Sequence, residues 1–190
     1  MSSARFTPDS QRIITVSEFN VRLDIWSLVD KSVMSINYPK FADKGLSFTS
    51  EGYFMALVEK HEAKDFIGIY YVGNFSLITH FKVEMFDVHD IAWSKDDTCL
   101  IVWESPLECK FSIYSPTGEL IANHSPYDLT LGIKGLGQSP NGNFLAVGYH
   151  DEVCRFYNHI SWKLIMDLDH NMSLQDTSLI VIFFYYFFYY

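Results

Sequence analysis

Hydrophobic residues along this chain come in short runs separated by polar turn signals, and the arrangement recurs four times. Arg5-Phe6-Thr7-Pro8-Asp9-Ser10 leads into Arg12-Ile13-Ile14-Thr15-Val16, and Ser47-Phe48-Thr49-Ser50-Glu51-Gly52 leads into Tyr53-Phe54-Met55-Ala56-Leu57. Ala92-Trp93-Ser94-Lys95-Asp96-Asp97 precedes Cys99-Leu100-Ile101-Val102-Trp103, and Gly137-Gln138-Ser139-Pro140-Asn141-Gly142 precedes Phe144-Leu145-Ala146-Val147-Gly148. With Phe6, Phe48, Trp93 and Gln138 as equivalents, the steps are 42, 45 and 45 residues. Pro8-Asp9, Glu51-Gly52, Asp96-Asp97 and Asn141-Gly142 are turn chemistry, presetting φ or tolerating positive φ where two strands reverse. The run after each turn is apolar with little alternation, as in Met55-Ala56-Leu57-Val58, so these strands are expected to be covered on both faces. A third run ends on an aromatic: Val21 to Trp26, Phe66 to Tyr70, Lys110 to Tyr114, Val153 to Tyr157. A fourth follows a short turn, as in Phe75 to Phe81 and Trp162 to Met166. Four strands per period of about 40–45 residues predict an all-β propeller array.

The details of these units carry a resemblance. Asp151-Glu152-Val153-Cys154-Arg155-Phe156-Tyr157-Asn158 resembles the WD-repeat run of Asp, turn residue, apolar strand with an Arg, and terminal Trp-Asp, with Tyr157 in the Trp place. Ile25-Trp26-Ser27-Leu28 through Tyr38-Pro39-Lys40, and Leu131-Gly132-Ile133-Lys134 through Asn158-His159-Ile160-Ser161-Trp162-Lys163, are similar to the centrosomal and spindle-pole WD-repeat family. The human member of that family is named for lying antisense to a tumour-suppressor-family gene. The similarity runs from about residue 4 to 170, and implies a β-propeller fragment of about four four-stranded blades in an incomplete ring. Blade repeats are placed at 4–37, 45–81, 90–124 and 133–168, within an array spanning 1–171 and lacking internal boundaries. The family resembled is more than twice as long, and such rings close with about seven blades, so the four repeats read as an internal piece.

Composition changes the picture at one end. Phe, Tyr and Trp make 17% of 190 residues, but eight of these aromatics lie between Leu179 and Tyr190. Twelve apolar residues reach only about 18 Å as a helix, short of a hydrocarbon core of about 30 Å. Such density of Phe, Tyr, Ile and Leu is what translated AT-rich non-coding DNA gives, so residues 172–190 are expected to lie outside the fold. A formal charge of −9, with charges scattered along the chain, disfavours tracking of a phosphate backbone or docking on anionic lipid. Cys99, Cys109 and Cys154 form no Cys-x-x-Cys pair, and the N-terminus is polar, which points to a reducing cytoplasmic setting.

Candidate chemistry is mostly absorbed by the repeat. His150-Asp151 with Ser139 invites a Ser-His-Asp reading, but Asp151 occupies the WD-repeat turn position, where a carboxylate ties the turn to neighbouring backbone. The equivalent sites hold Asn20, Asp65 and Glu108; Trp26, Tyr114, Pro140 and Tyr157 are further structural repeat positions. His61-Glu62 opens like a zinc-protease helix motif but lacks the second histidine one turn on, so metal chemistry is not expected from it. Gly132, Gly135 and Gly137 lack the Lys-Ser/Thr of a phosphate loop. Cys99 and Cys154 read as small buried hydrophobes, and Cys109, beside Lys110 in a loop, as the one cysteine with scope for reactivity. The charged stretch Glu59, Lys60, His61, Glu62 and Lys64 is the best candidate for a partner-facing loop, against a plain solvated one, and Trp162 is read either as packing or as an exposed anchor. No cofactor or catalytic set is read. By resemblance, the chain is a non-catalytic scaffold of the cytoskeleton at the centrosome or spindle pole body. There its relatives pair with a coiled-coil adaptor and, in some lineages, a minus-end-directed kinesin, to anchor microtubule minus ends, organise the spindle and support cilium assembly. The alternatives are an adaptor of a ubiquitin ligase or RNA-processing complex, and a propeller hydrolase.

Overall fold

The computed structural model describes residues 3–105, 107–125 and 132–169, so the apolar stretch at 172–190 lies outside the described residues. Among these residues, sixteen strands form four antiparallel sheets of four, each built from strands consecutive in sequence. The first blade comprises β1 (Ser3–Phe6), β2 (Arg12–Val16), β3 (Arg22–Ser27) and β4 (Val33–Asn37), and the second β5 (Leu46–Phe48), β6 (Phe54–His61), β7 (Lys64–Tyr71) and β8 (Ser76–Lys82). The third comprises β9 (Val88–Trp93), β10 (Leu100–Glu104), β11 (Phe111–Tyr114) and β12 (Leu120–His124). The fourth comprises β13 (Ile133–Gln138), β14 (Phe144–Tyr149), β15 (Val153–Asn158) and β16 (Leu164–Asp169). The architecture is all-β, and among the described residues the blades stop short of a closed ring.

The first turn of every blade is built alike. Ser10, Gly52, Asp97 and Gly142 all have positive φ, and the N–H of each donates to the carbonyl of Thr7, Thr49, Ser94 or Ser139 three residues back. The hydroxyls of those same four residues accept the backbone N–H of Arg12, Phe54, Cys99 and Phe144 as the second strand begins. A small hydroxyl residue is needed because it is buried and must satisfy a strand-end donor. Ser139 is therefore a turn residue. It sits before β14 while His150 follows that strand's far end, so about 20 Å of extended chain separates them, too far for a nucleophile and its base.

Strand register lines up four equivalent rows across the blades. They are Phe6, Ile13, Trp26, Val33; Phe48, Met55, Tyr70, Leu77; Trp93, Leu100, Tyr114, Leu120; and Gln138, Leu145, Tyr157, Leu164. Side chains paired across strands share a face, so each row presents one edge of a blade to its neighbour. In blades two to four that neighbour is the preceding blade. Met55 and Tyr70 pack with Ile14, Leu23 and Ile25; Leu100 and Tyr114 with Ala56, Val58 and Ile67; Leu145 and Tyr157 with Ile101, Phe111 and Ile113. Three apolar cores thus join four blades, each fully buried Leu, Ile or Phe contributing about 1.5–3 kcal/mol.

Trp26 holds a structural repeat position without being packed in a core. It is 46% exposed, whereas Tyr157 in the same row position is 3% exposed. The reason is topological, since no described blade precedes the first, so Phe6, Trp26 and Val33 face outward together. Trp26 is fixed by its indole N–H, which donates to Thr15 Oγ1 at 3.0 Å.

Candidate functional site

Chemistry-bearing side chains concentrate where the second blade meets its incoming link. After β4 the chain does not loop out: Pro39 bridges Glu59, with Lys60 N–H donating to Tyr38 O and Lys40 N–H to Val58 O. The link thereby adds a short extra edge to β6 and carries the Lys40 side chain inward. Its ammonium donates to Asp65 Oδ2 at 2.6 Å, to Asp87 Oδ1 at 2.8 Å and to the Val88 carbonyl at 2.6 Å. Asp65 Oδ2 also accepts the Val88 N–H at 2.8 Å, so one lysine and one carboxylate fasten the links entering the second and third blades. Asn20 does a related task for the first blade, its amide donating to Lys40 O.

Glu108 does not hold the corresponding place in the third blade. There the buried carboxylate is Glu104, whose Oε1 accepts the Phe86 N–H at 2.6 Å. Burial pushes its pKa up, against the opposing pull of that hydrogen bond and of Lys110. In the fourth blade Asp151 accepts the Val153 N–H and pairs with Arg155 at 2.8 Å, closing its own turn.

The stretch from Glu59 to Lys64 is a hairpin, not a loop. Strand β6 runs through His61 and β7 starts at Lys64, leaving Glu62 and Ala63, both at positive φ, as a two-residue turn. Lys60, Glu62 and Lys64 are exposed, but Glu59 is buried and cannot face a partner. Its Oε1 accepts the Tyr70 hydroxyl at 2.6 Å, and its Oε2 lies 3.0 Å from His61 Nε2 and 3.3 Å from His80 Nε2. Burial, and then the bond to and charge of Glu59, hold the Tyr70 phenol far above its ordinary pKa, so it stays a donor. Gly68, paired with His80 across β7 and β8, makes the room: a Cβ there would collide with Glu59 Oε1.

Trp162 is likewise buried rather than an exposed anchor, at 5% exposure in the core between the third and fourth blades. It ends a turn in which Asn158 Oδ1 accepts the N–H groups of Ile160 and Ser161, while His159 Nε2 reaches Asp96 Oδ2 of the third blade at 2.8 Å. Cys109 also packs in that core, which removes the exposure a reactive thiol needs. Cys154 is half-buried, and desolvation raises its thiol to about 11.

No family model matches the chain. It is 35% identical over 176 residues to WD repeat-containing protein WRAP73 of Mus musculus, an alignment covering 93% of this chain. The chain is built of WD-repeat blades. A second WD repeat-containing protein, uncharacterised and from Schizosaccharomyces pombe, is 23% identical over 184 residues and 94% of this chain. The chain spans 38% of the length of each of these relatives, so it matches a fragment of the longer WD-repeat proteins. Side chains of Tyr38-Pro39-Lys40 and of Asn158 to Lys163, the segments that carried the family resemblance, are among those that join neighbouring blades.

Acid sensitivity follows from the same contacts. Burial acts to raise the Asp96 pKa, but hydrogen bonds from Ser94, His159 and Thr98 outweigh it and set the carboxyl well below its ordinary value. Asp87 is lowered by Lys40 and Lys60 against its own desolvation, and exposed Asp30 falls to about 2 through bonds from Ser27 and Ser32. A carboxyl that binds its proton more weakly when folded stabilises the fold above the unfolded pKa of about 3.9, and that share is lost as pH falls through the folded value. The urea midpoint is therefore expected to drop between about pH 5 and pH 2, and His159→Ala to flatten the part due to Asp96.

Proposed function

We propose that this WD-repeat chain is part of a non-catalytic protein-binding scaffold acting at the centrosome or spindle pole body, in the cytoplasm. Its partners are proteins, among them a coiled-coil centrosomal adaptor and, in some lineages, a minus-end-directed kinesin. The assembly anchors microtubule minus ends, organises the spindle and supports cilium assembly. The supporting observation is the 35% identity along nearly the whole chain to a WD repeat-containing protein of which the chain spans 38%. A rigid stack of blades suits the role, because outer strands and hairpin tips such as Lys60, Glu62 and Lys64 can be read by partners without reshaping the core.

The test is proximity labelling and localisation of the full-length gene product carrying a fluorescent tag. Pole foci through mitosis, with labelled coiled-coil centrosomal proteins, are the expected result. Recovery of ubiquitin-ligase or spliceosome subunits, with no focus at the poles, would replace this reading by the adaptor alternative.

A further inference from the structure

Glu59, His61 and His80 each offer one ligand atom, and the three atoms lie within 4.8 Å of one another. We infer that these three side chains form a binding site for a divalent transition-metal ion, with Zn2+ as the best match. The donor set is the first reason, since two imidazoles and one carboxylate suit zinc, whereas Ca2+ and Mg2+ take oxygen ligands. The spacing is the second. Ligands at about 2.0–2.1 Å in a tetrahedron stand about 3.3 Å apart, and the two nitrogens lie 3.0 and 3.3 Å from the same oxygen, Glu59 Oε2.

The surroundings are built to hold these groups. Tyr70 donates to Glu59 Oε1 and so leaves Oε2 turned to the histidines, as outer partners do at metal centres. Phe66 stacks on His80 at 5.0 Å and 2°, while Tyr38 and Phe66 meet His61 edge-on at 5.1 and 5.5 Å. Gly68 supplies the gap that the carboxylate fills. The histidine side chains keep 34% and 32% of their surface exposed, which gives an ion a way in and leaves a fourth position open to water or to a partner's side chain. Sequence spacing hid the site because its second histidine comes from β8 rather than from one turn further on.

The experiment is titration of the metal-free full chain with Co2+, read by its tetrahedral visible bands, followed by displacement with Zn2+. One Zn2+ per chain at micromolar or tighter affinity, with Ca2+ causing no displacement, is expected. His61→Gln and His80→Gln should each weaken binding by about 100-fold or more and Tyr70→Phe by about 10-fold, while His150→Gln, outside the cluster, leaves it unchanged. Should the histidine variants fail to fold, the parent chain still decides, because one equivalent of Zn2+ must protect His61 and His80 from carbethoxylation by diethylpyrocarbonate. Absence of saturable Zn2+ binding, parent-like affinity in both folded histidine variants, or modification indifferent to Zn2+ would each overturn the assignment.

Discussion

Replacing Lys40 by methionine is expected to destabilise the chain by about 3–5 kcal/mol, the cost of leaving a buried charge without its partner. The Lys40 side chain is 6% exposed and that of Asp65 2%, so neither reaches water when the other is removed. The methylene stem is matched by methionine, which makes the lost ammonium the cause. Removing it strands the buried Asp65 carboxylate and takes a donor from the Val88 carbonyl, at the seam between the second and third blades, while the part-exposed Asp87 keeps Lys60 at 3.7 Å. Lys40→Met with Asp65→Asn should recover part of the loss, because the double change removes the stranded charge as well. Chemical denaturation of the parent chain and the two variants measures this. A Lys40→Met chain within about 0.5 kcal/mol of the parent would show that the network carries little of the fold's stability.

Phe111→Ala is expected to cost about 3–5 kcal/mol. The ring is fully buried between the third and fourth blades, edge-on to Tyr157 at 5.0 Å and stacked on His124 at 4.7 Å. Few nearby groups can collapse into the space, since the neighbouring strands are held by ladder hydrogen bonds on both sides. Trp26→Ala removes a larger side chain yet should cost only about 1 kcal/mol in this chain, because its face is open. The pair separates burial by a neighbouring blade from mere membership of the repeat. Equal losses at the two sites would contradict the packing described.

How much of this was legible in the sequence depends on where the decisive contacts lie. The rows headed by Phe6, Phe48, Trp93 and Gln138 could be read directly, because a β-blade pairs consecutive strands and its register follows from local turns. The turn hydroxyls Thr7, Thr49, Ser94 and Ser139 sit at one fixed offset, and that offset alone shows that Ser139 is a turn residue. The hairpin at Glu62 and Ala63 was hidden because neither residue is the Gly or Asn that such a turn favours, so the charged strand end looked like a loop. Lys40 and His80 were hidden for a different reason. Their partners are 25 and 21 residues away on other strands, and only the pairing of the 38–40 link with β6 and of β7 with β8 brings them together. Trp162 stayed open between packing and exposure because an aromatic in a polar turn fits both, and its 5% exposure decides for packing.

The central claim is that the four repeats stack face to face, so that equivalent positions are buried by the preceding blade. Hydroxyl-radical footprinting of the chain, read residue by residue, measures this on the native molecule. Strong labelling of Phe6 and Trp26, with protection of Tyr70, Tyr114 and Tyr157 that is lost on unfolding, is the predicted result. Comparable labelling of Trp26, Tyr70, Tyr114 and Tyr157 in the folded chain would contradict it.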